Sequence, residues 1–203
     1  MGRTSEAKEK LLDVAFQLIW DSSYGSVSVD QICERAKVNK GSFYHFYGSK
    51  ADLAVAAYED HWKQKQPNMD RIFSAQIPPL DRIAAWCKYV YEVQKQKAAQ
   101  FGRVCGCPYG SIGTEVATQD EKIRTKAQEI LGRSMRYVES AIADAKREGS
   151  VDPALDPKRA AEKILSLVMG SMIQAKIQND VEVLRDLEPT VMAILGAKTA
   201  VTA

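Results

Sequence analysis

Apolar residues recur at spacings of three and four along almost the whole chain, and this periodicity confines the fold to packed helices. Ala7, Leu11, Val14, Ala15 and Leu18 form one such stripe, with Thr4 or Ser5 available as its cap. Asp21 to Gly25 supplies a turn. Ser28 caps a short helix carrying Ile32 and Ala36, and a second short helix after Asn39 carries Phe43, Tyr44 and Tyr47. Ser49 starts the next, with Asp52 three residues on in a variant capping box and Leu53, Val55, Ala56, Ala57 and Tyr58 beyond. This helix is not expected to run far past Pro67.

The elements then lengthen. Pro78-Pro79 opens a helix with Leu80, Ile83, Cys87 and Val90 on one face and Trp86, Tyr89 and Val93 on another. Residues 102–113 hold four glycines and Pro108, and read as a loop or a broken helix start. A long periodic run from Ile123 to Ala145 follows, ending near Gly149. Asp156-Pro157 is a cap followed by proline at the first helical position, ahead of a broadly apolar helix from Ala161 to Ile173. A last helix holds Leu184, Leu187, Val191, Ile194 and Leu195 around Pro189, and residues 197–203 are expected to fray. Alternation of the strand type is confined to Val27-Ser28-Val29. The expected fold is all-α with about nine helices: a small unit of short helices over residues 1–50, linked through a helix over 51–66 to a larger bundle over 67–203.

At 203 residues the chain is long enough to bury its own core without staples. Its 45% hydrophobic and 27% charged residues match a globular protein rather than a disordered one. Apolar runs are too short for a transmembrane helix, and the first residues lack a secretion signal, so the expected setting is the cytoplasm, away from membranes. Four cysteines are then expected as thiols, and with only two histidines a tetrahedral metal set is unexpected. No phosphate loop, metal-ligand pair or nucleophile elbow occurs, so neither a catalytic site nor a cofactor is expected.

The net charge of +2 decides little, but its distribution is informative. Residues 35–50 hold Arg35, Lys37, Lys40 and Lys50 and no carboxylate, whereas residues 1–34 hold six acids. Within this basic stretch two short helices are separated by about three residues, the arrangement of a helix-turn-helix. Ala36 allows close approach of the two, Val38 fills the space between them, and Asn39 caps the second. Lys40, Gly41, Ser42, Tyr44 and His45 then lie near the N-terminal and outward faces of the second helix, where such units meet base edges and phosphates. Phe43 and Phe46 are expected to face the core, and Tyr47 is left open.

Ile32, Ala36, Val38, Lys40-Gly41, Tyr44, Phe46 and Lys50-Ala51-Asp52-Leu53 stand in the order and spacing of the TetR family of bacterial transcriptional repressors, and about the first 65 residues resemble its DNA-binding domain. Lys37 departs from the glycine common in that turn, at a strain of about 1 kcal/mol if its backbone is left-handed. The resemblance implies phosphate contacts from Ser28 and Lys50 near two helix starts, a backbone contact from the Tyr44 hydroxyl, and base-edge positions for Lys40, Gly41, Ser42 and His45, with Lys37 and Asn39 beside them. It also implies a homodimer on a roughly palindromic operator, released by a small-molecule effector.

Within the larger bundle, Leu165, Met169, Met172, Leu187, Val191 and Leu195 are dimer-interface candidates, with core packing as the equal alternative. Trp86, Tyr89, Phe101, Tyr109 and Tyr137, with Tyr91 and Met135, are candidates for lining an effector pocket and favour an apolar or aromatic ligand. Cys105-Gly106-Cys107-Pro108, with Ser111 and Glu115 beyond, resembles a segment of those relatives that answer electrophiles or oxidants through a cysteine. A thiol sensor on the same scaffold is therefore the alternative reading for Cys107 and Cys105, and a helical redox protein without DNA binding a more distant one. Cys33 and Cys87 are expected as buried packing residues.

Overall fold

The computed structural model describes residues 3–197, with side chains from Glu6 onward. It contains helices α1 (Arg3–Asp21), α2 (Val29–Ala36), α3 (Lys40–Phe46), α4 (Lys50–Ile72), α5 (Pro79–Phe101), α6 (Pro108–Val116), α7 (Glu121–Arg147), α8 (Pro157–Gln178) and α9 (Leu187–Leu195), with a 3₁₀ turn at Val181–Leu184. No strand occurs among the described residues, and Val27-Ser28-Val29 leads into α2. No helix among them is long and apolar enough to cross a membrane. Of the expected fraying end, residues 198–203 lie outside the described residues. Helix α1 begins at Arg3, ahead of both Thr4 and Ser5, so neither is its cap.

Two compact units are present, and each interleaves chain segments: residues 1–66 with 108–131, and 67–107 with 132–203. In the first, α1 packs against α2, α3 and α6, and α2 against α3. Leu11, Ala15, Ile32, Phe43, Leu53 and Ile130 are fully buried there. In the second, α5 and α8 pack against α9 and the 3₁₀ turn, around Ile83, Ile142, Ala161, Ile164, Val191 and Leu195. Residues 108–131, placed by position with the larger bundle, pack in the first unit. The glycine-rich segment is divided: 102–107 is a loop, while α6 runs through Gly110 and Gly113.

Helix α4 continues past Pro67 to Ile72. A proline inside a helix costs one hydrogen bond and a steric clash, about 3 kcal/mol. Burial of Met69 and Ile72 just beyond it, at 0% and 6% exposure, offsets that cost at about 1.5–3 kcal/mol per side chain.

In the second unit the Arg82 guanidinium is almost fully buried. It donates to Asp144 at 2.6 Å and to the carbonyls of Ile77 and Ala75, tying the approach to α5 onto α7. Buried Gln94 accepts from the Gly106 N–H and donates to the Gly106 carbonyl, each at 3.1 Å. Asn179, left-handed at the end of α8, accepts from Val104 N–H at 2.9 Å. The cysteine-bearing loop is therefore pinned at both ends.

Candidate nucleic-acid interface

Ser28 starts α2 with a complete capping box: its hydroxyl accepts from Gln31 N–H at 3.2 Å, and the Gln31 carboxamide accepts from Ser28 N–H at 2.7 Å. The helix ends at Lys37, whose φ of +55° is left-handed and whose N–H bonds to Glu34 O, while Val38 N–H bonds to Cys33 O. The left-handed backbone foreseen at Lys37 is present, at a strain on the order of 1 kcal/mol, and the residue is exposed. Val38 is half-buried and Ala36 buried.

Asn39 then caps α3, its side-chain oxygen accepting from Ser42 N–H at 2.7 Å. A Cβ at Gly41 would stand 3.3 Å from that oxygen, a close approach that the capping side chain would have to yield to slightly. The seven-residue helix sorts its side chains by face. Phe43 is fully buried and stacks edge-on with Tyr44 at 5.0 Å between centroids. Tyr47 is also buried, which settles the position left open. Its hydroxyl lacks a partner, and burial pushes its pKa up to about 12. Phe46 is only half-buried, because it falls at the rim between the inner and outer faces. Lys37, Asn39, Lys40, Gly41, Tyr44 and His45 are exposed and Ser42 half-exposed.

Two cations differ from free surface lysines. Lys40 bonds Asp30 of α2 at 2.6 Å, and this hydrogen bond, with the carboxylate's charge, raises its pKa. Lys50 is half-buried. Its ammonium donates to Tyr24 O at 2.8 Å and Val27 O at 2.9 Å and sits 4.1 Å over the Tyr24 ring. Desolvation lowers its pKa. The expected phosphate-binding lysine thus spends two of its three donors on the protein's own backbone. Ser49 and Asp52 form the expected start of α4, Ser49 Oγ donating to Asp52 and accepting from its N–H.

The remaining candidates separate. Tyr109 lies in the first unit, fully buried, with its hydroxyl 2.7 Å from His61 Nδ1. Trp86, Tyr89, Phe101, Cys107 and Tyr137 lie in the second unit. There Trp86 and Tyr137 converge on Phe73, at 6.4 and 5.4 Å between centroids. Tyr137 donates to Asp70 and Tyr91 donates to Glu182. Tyr89 has its pKa raised by burial. Cys105 is buried and Cys107 half-buried, and Cys33 and Cys87 are buried as expected, desolvation pushing the Cys87 thiol up to about 12.

Four interface candidates are corrected. Met172 of α8 and Leu187, Val191 and Leu195 of α9 are buried within their own unit, at 8%, 3%, 0% and 1% exposure, because α9 packs onto α5 and α8. Leu165 and Met169 remain half-exposed on α8, and the same stripe continues to Ile173 and Ile177, exposed by 48% and 73%. The bonds of Asp30 to Lys40 and of Glu115 to the Tyr24–Gly25 turn have no local signature in the sequence, since the partners lie ten or more positions apart.

A model for bacterial regulatory proteins of the tetR family matches residues 11–57, and one for the tetracycline-repressor-like C-terminal domain matches residues 79–190. An uncharacterised helix-turn-helix transcriptional regulator of Lactococcus lactis is 26% identical over 195 residues, covering 94% of this chain and 95% of its own. The transcriptional repressor NemR of Escherichia coli K12 is 26% identical, with 89% of each chain covered. The crystal structure of reduced NemR superposes with a TM-score of 0.81 over 96% of this chain and 99% of its own, at 24% identity. That of a TetR regulatory protein from Rhodobacter sphaeroides reaches 0.82 over 93% and 98%, at 25% identity. With an outward-facing capped α3 on a buried aromatic platform and both halves matched, the chain belongs to the TetR family of DNA-binding transcriptional regulators.

Proposed function

We propose that this regulator is a cytoplasmic repressor that reads duplex DNA through α3. The observation that carries this reading is the sorting of α3: Phe43 is wholly buried while Lys40, Gly41, Tyr44 and His45 stand in solvent. Ser42 and His45 face base edges in the major groove, Gly41 allows close approach, and Ser28, Lys37, Asn39, Lys40 and Tyr44 meet the backbone. Lys50 has one donor left for a phosphate. Residues 1–66, with 108–131 packed into the same unit, form the DNA-binding part, and 67–107 with 132–203 the part that dimerises and senses.

A homodimer forms through the exposed stripe of α8, Leu165, Met169, Ile173 and Ile177, whose apolar exposure a second copy would cover. A small apolar or aromatic ligand releases the operator; the aromatic grouping of Trp86, Phe73 and Tyr137 supports this choice of chemistry. The name of the Escherichia coli relative, a repressor, supports the sign of regulation.

Selection of binding duplexes from a random-sequence library tests the reading. The expected products share a roughly palindromic site with half-sites about one helical turn apart. Their affinity falls with salt at a log–log slope of about −6 to −10. Enrichment of no common sequence overturns it.

A further inference from the structure

The turn that delivers the chain from α1 to α2 is held from both sides by charged groups that come from elsewhere in the first unit. Glu115 of α6 accepts from Gly25 N–H at 2.7 Å through one carboxylate oxygen and from Tyr24 N–H at 2.9 Å through the other. These partners lie 90 residues or more away in sequence. On the acceptor side of the same turn, Lys50 of α4 takes the Tyr24 and Val27 carbonyls. The fit to Gly25 is close, since a Cβ there would stand 3.2 Å from Glu115 Oε1. Within the turn, Ser26 N–H bonds to the Ser23 hydroxyl, whereas the acceptor of the Tyr24 and Gly25 N–H groups is Glu115. Ionised acceptors of backbone N–H groups make hydrogen bonds about twice as strong as neutral ones. The turn ends one residue before Ser28, the cap of α2, and α2 in turn carries α3.

We infer that Glu115 is a positioning residue for DNA recognition: bonded to the Tyr24–Gly25 turn opposite Lys50, it fixes where α2 and α3 stand relative to α4 and α6. The inference rests on α3 being the DNA-reading element. Glu115 itself touches no DNA; it acts through the turn. Because both of its oxygens are used, Glu115→Gln leaves one acceptor and turns an amide against the other N–H, and Glu115→Ala leaves neither.

The test compares the full-length protein with Glu115→Ala and Glu115→Gln, using a duplex recovered by selection and a random duplex of equal length. Amide exchange of residues 23–31 and the thermal midpoint are read alongside. The expected result is faster exchange at Tyr24 and Gly25 in both variants, with affinity for the selected duplex lowered at least fivefold in Glu115→Ala and less in Glu115→Gln. Affinity for the random duplex is expected to change less than twofold, which a general loss of folded protein would not produce. Unchanged exchange at Tyr24 and Gly25 overturns the clamp. Faster exchange with unaltered preference for the selected duplex overturns the positioning role. A Ser42→Ala/His45→Ala variant measured in parallel separates that failure from failure of the α3 reading, because it loses the preference only if α3 reads DNA.

Discussion

Asp30, in the first turn of α2, holds the ammonium of Lys40, the first residue of α3, at 2.6 Å. The pair links the two helices of the recognition unit on its exposed side, and it sets a carboxylate in competition with any phosphate that approaches Lys40. A local stretch of sequence that is free of acids is therefore not free of them in space.

Replacing Asp30 with Asn releases Lys40. Exposed ion pairs are weak, so the expected gain in affinity for a random duplex is about two- to fivefold. The salt slope is expected to steepen by about one unit, as one more cation becomes available. Fluorescence anisotropy across a potassium chloride series checks both, and weaker binding by Asp30→Asn would show that the carboxylate supports the interface instead.

Lys37 offers a stability prediction. Its φ of +55° is a conformation that glycine adopts without a Cβ penalty. Lys37→Gly is expected to raise stability by roughly 0.5–1 kcal/mol, seen as a thermal midpoint higher by about 1–4 °C. The same variant loses a cation and should bind DNA with a shallower salt slope. A lower midpoint contradicts the strain.

The buried Tyr47 hydroxyl has no partner, so Tyr47→Phe is expected to leave stability unchanged or raise it by up to about 1 kcal/mol. The pH dependence follows from the raised pKa. The unfolded phenol ionises near its ordinary value of 10.0 and the folded one at about 12, so between these values the unfolded chain has released a proton that the folded chain keeps. Stability from this group is full below pH 10 and is lost as pH rises toward 12. Urea titrations at pH 9 and 11 should show a smaller loss for Tyr47→Phe than for the parent chain.

In the second unit, Asp144→Ala strands the buried Arg82 guanidinium. Breaking one side of a buried pair costs about 3–5 kcal/mol, and Arg82 keeps its bonds to the Ile77 and Ala75 carbonyls, so the lower end is expected. Chemical denaturation of the full chain measures it. A loss below about 1 kcal/mol would mean that water reaches the guanidinium.

What the sequence conveys well is local. Ser28, Asn39, Ser49 and Asp156 cap the helices they were expected to cap, since a cap is decided by residues three positions apart. Periodicity likewise places Phe43 and Ile32 inside. It cannot distinguish burial within one chain from burial between two, and on that ground Leu187, Val191 and Leu195 stood as interface candidates although they fill their own unit. Nor does it foresee long-range electrostatics. Lys50 reads as a free cation until Tyr24 and Val27 are seen to accept from it, and Glu115 has no local signature of its bond to a turn 90 residues away.

The most direct test of the central claim is an anisotropy titration of Ser42→Ala/His45→Ala against the selected duplex and against a random one. Both side chains sit on the outer half of α3 and neither fills the core, so the fold is expected to survive. At about 1–3 kcal/mol per base contact, the account predicts at least a tenfold loss of affinity for the selected duplex, with random-duplex affinity nearly unchanged. Equal affinity of the variant and the parent chain for the selected duplex would contradict it.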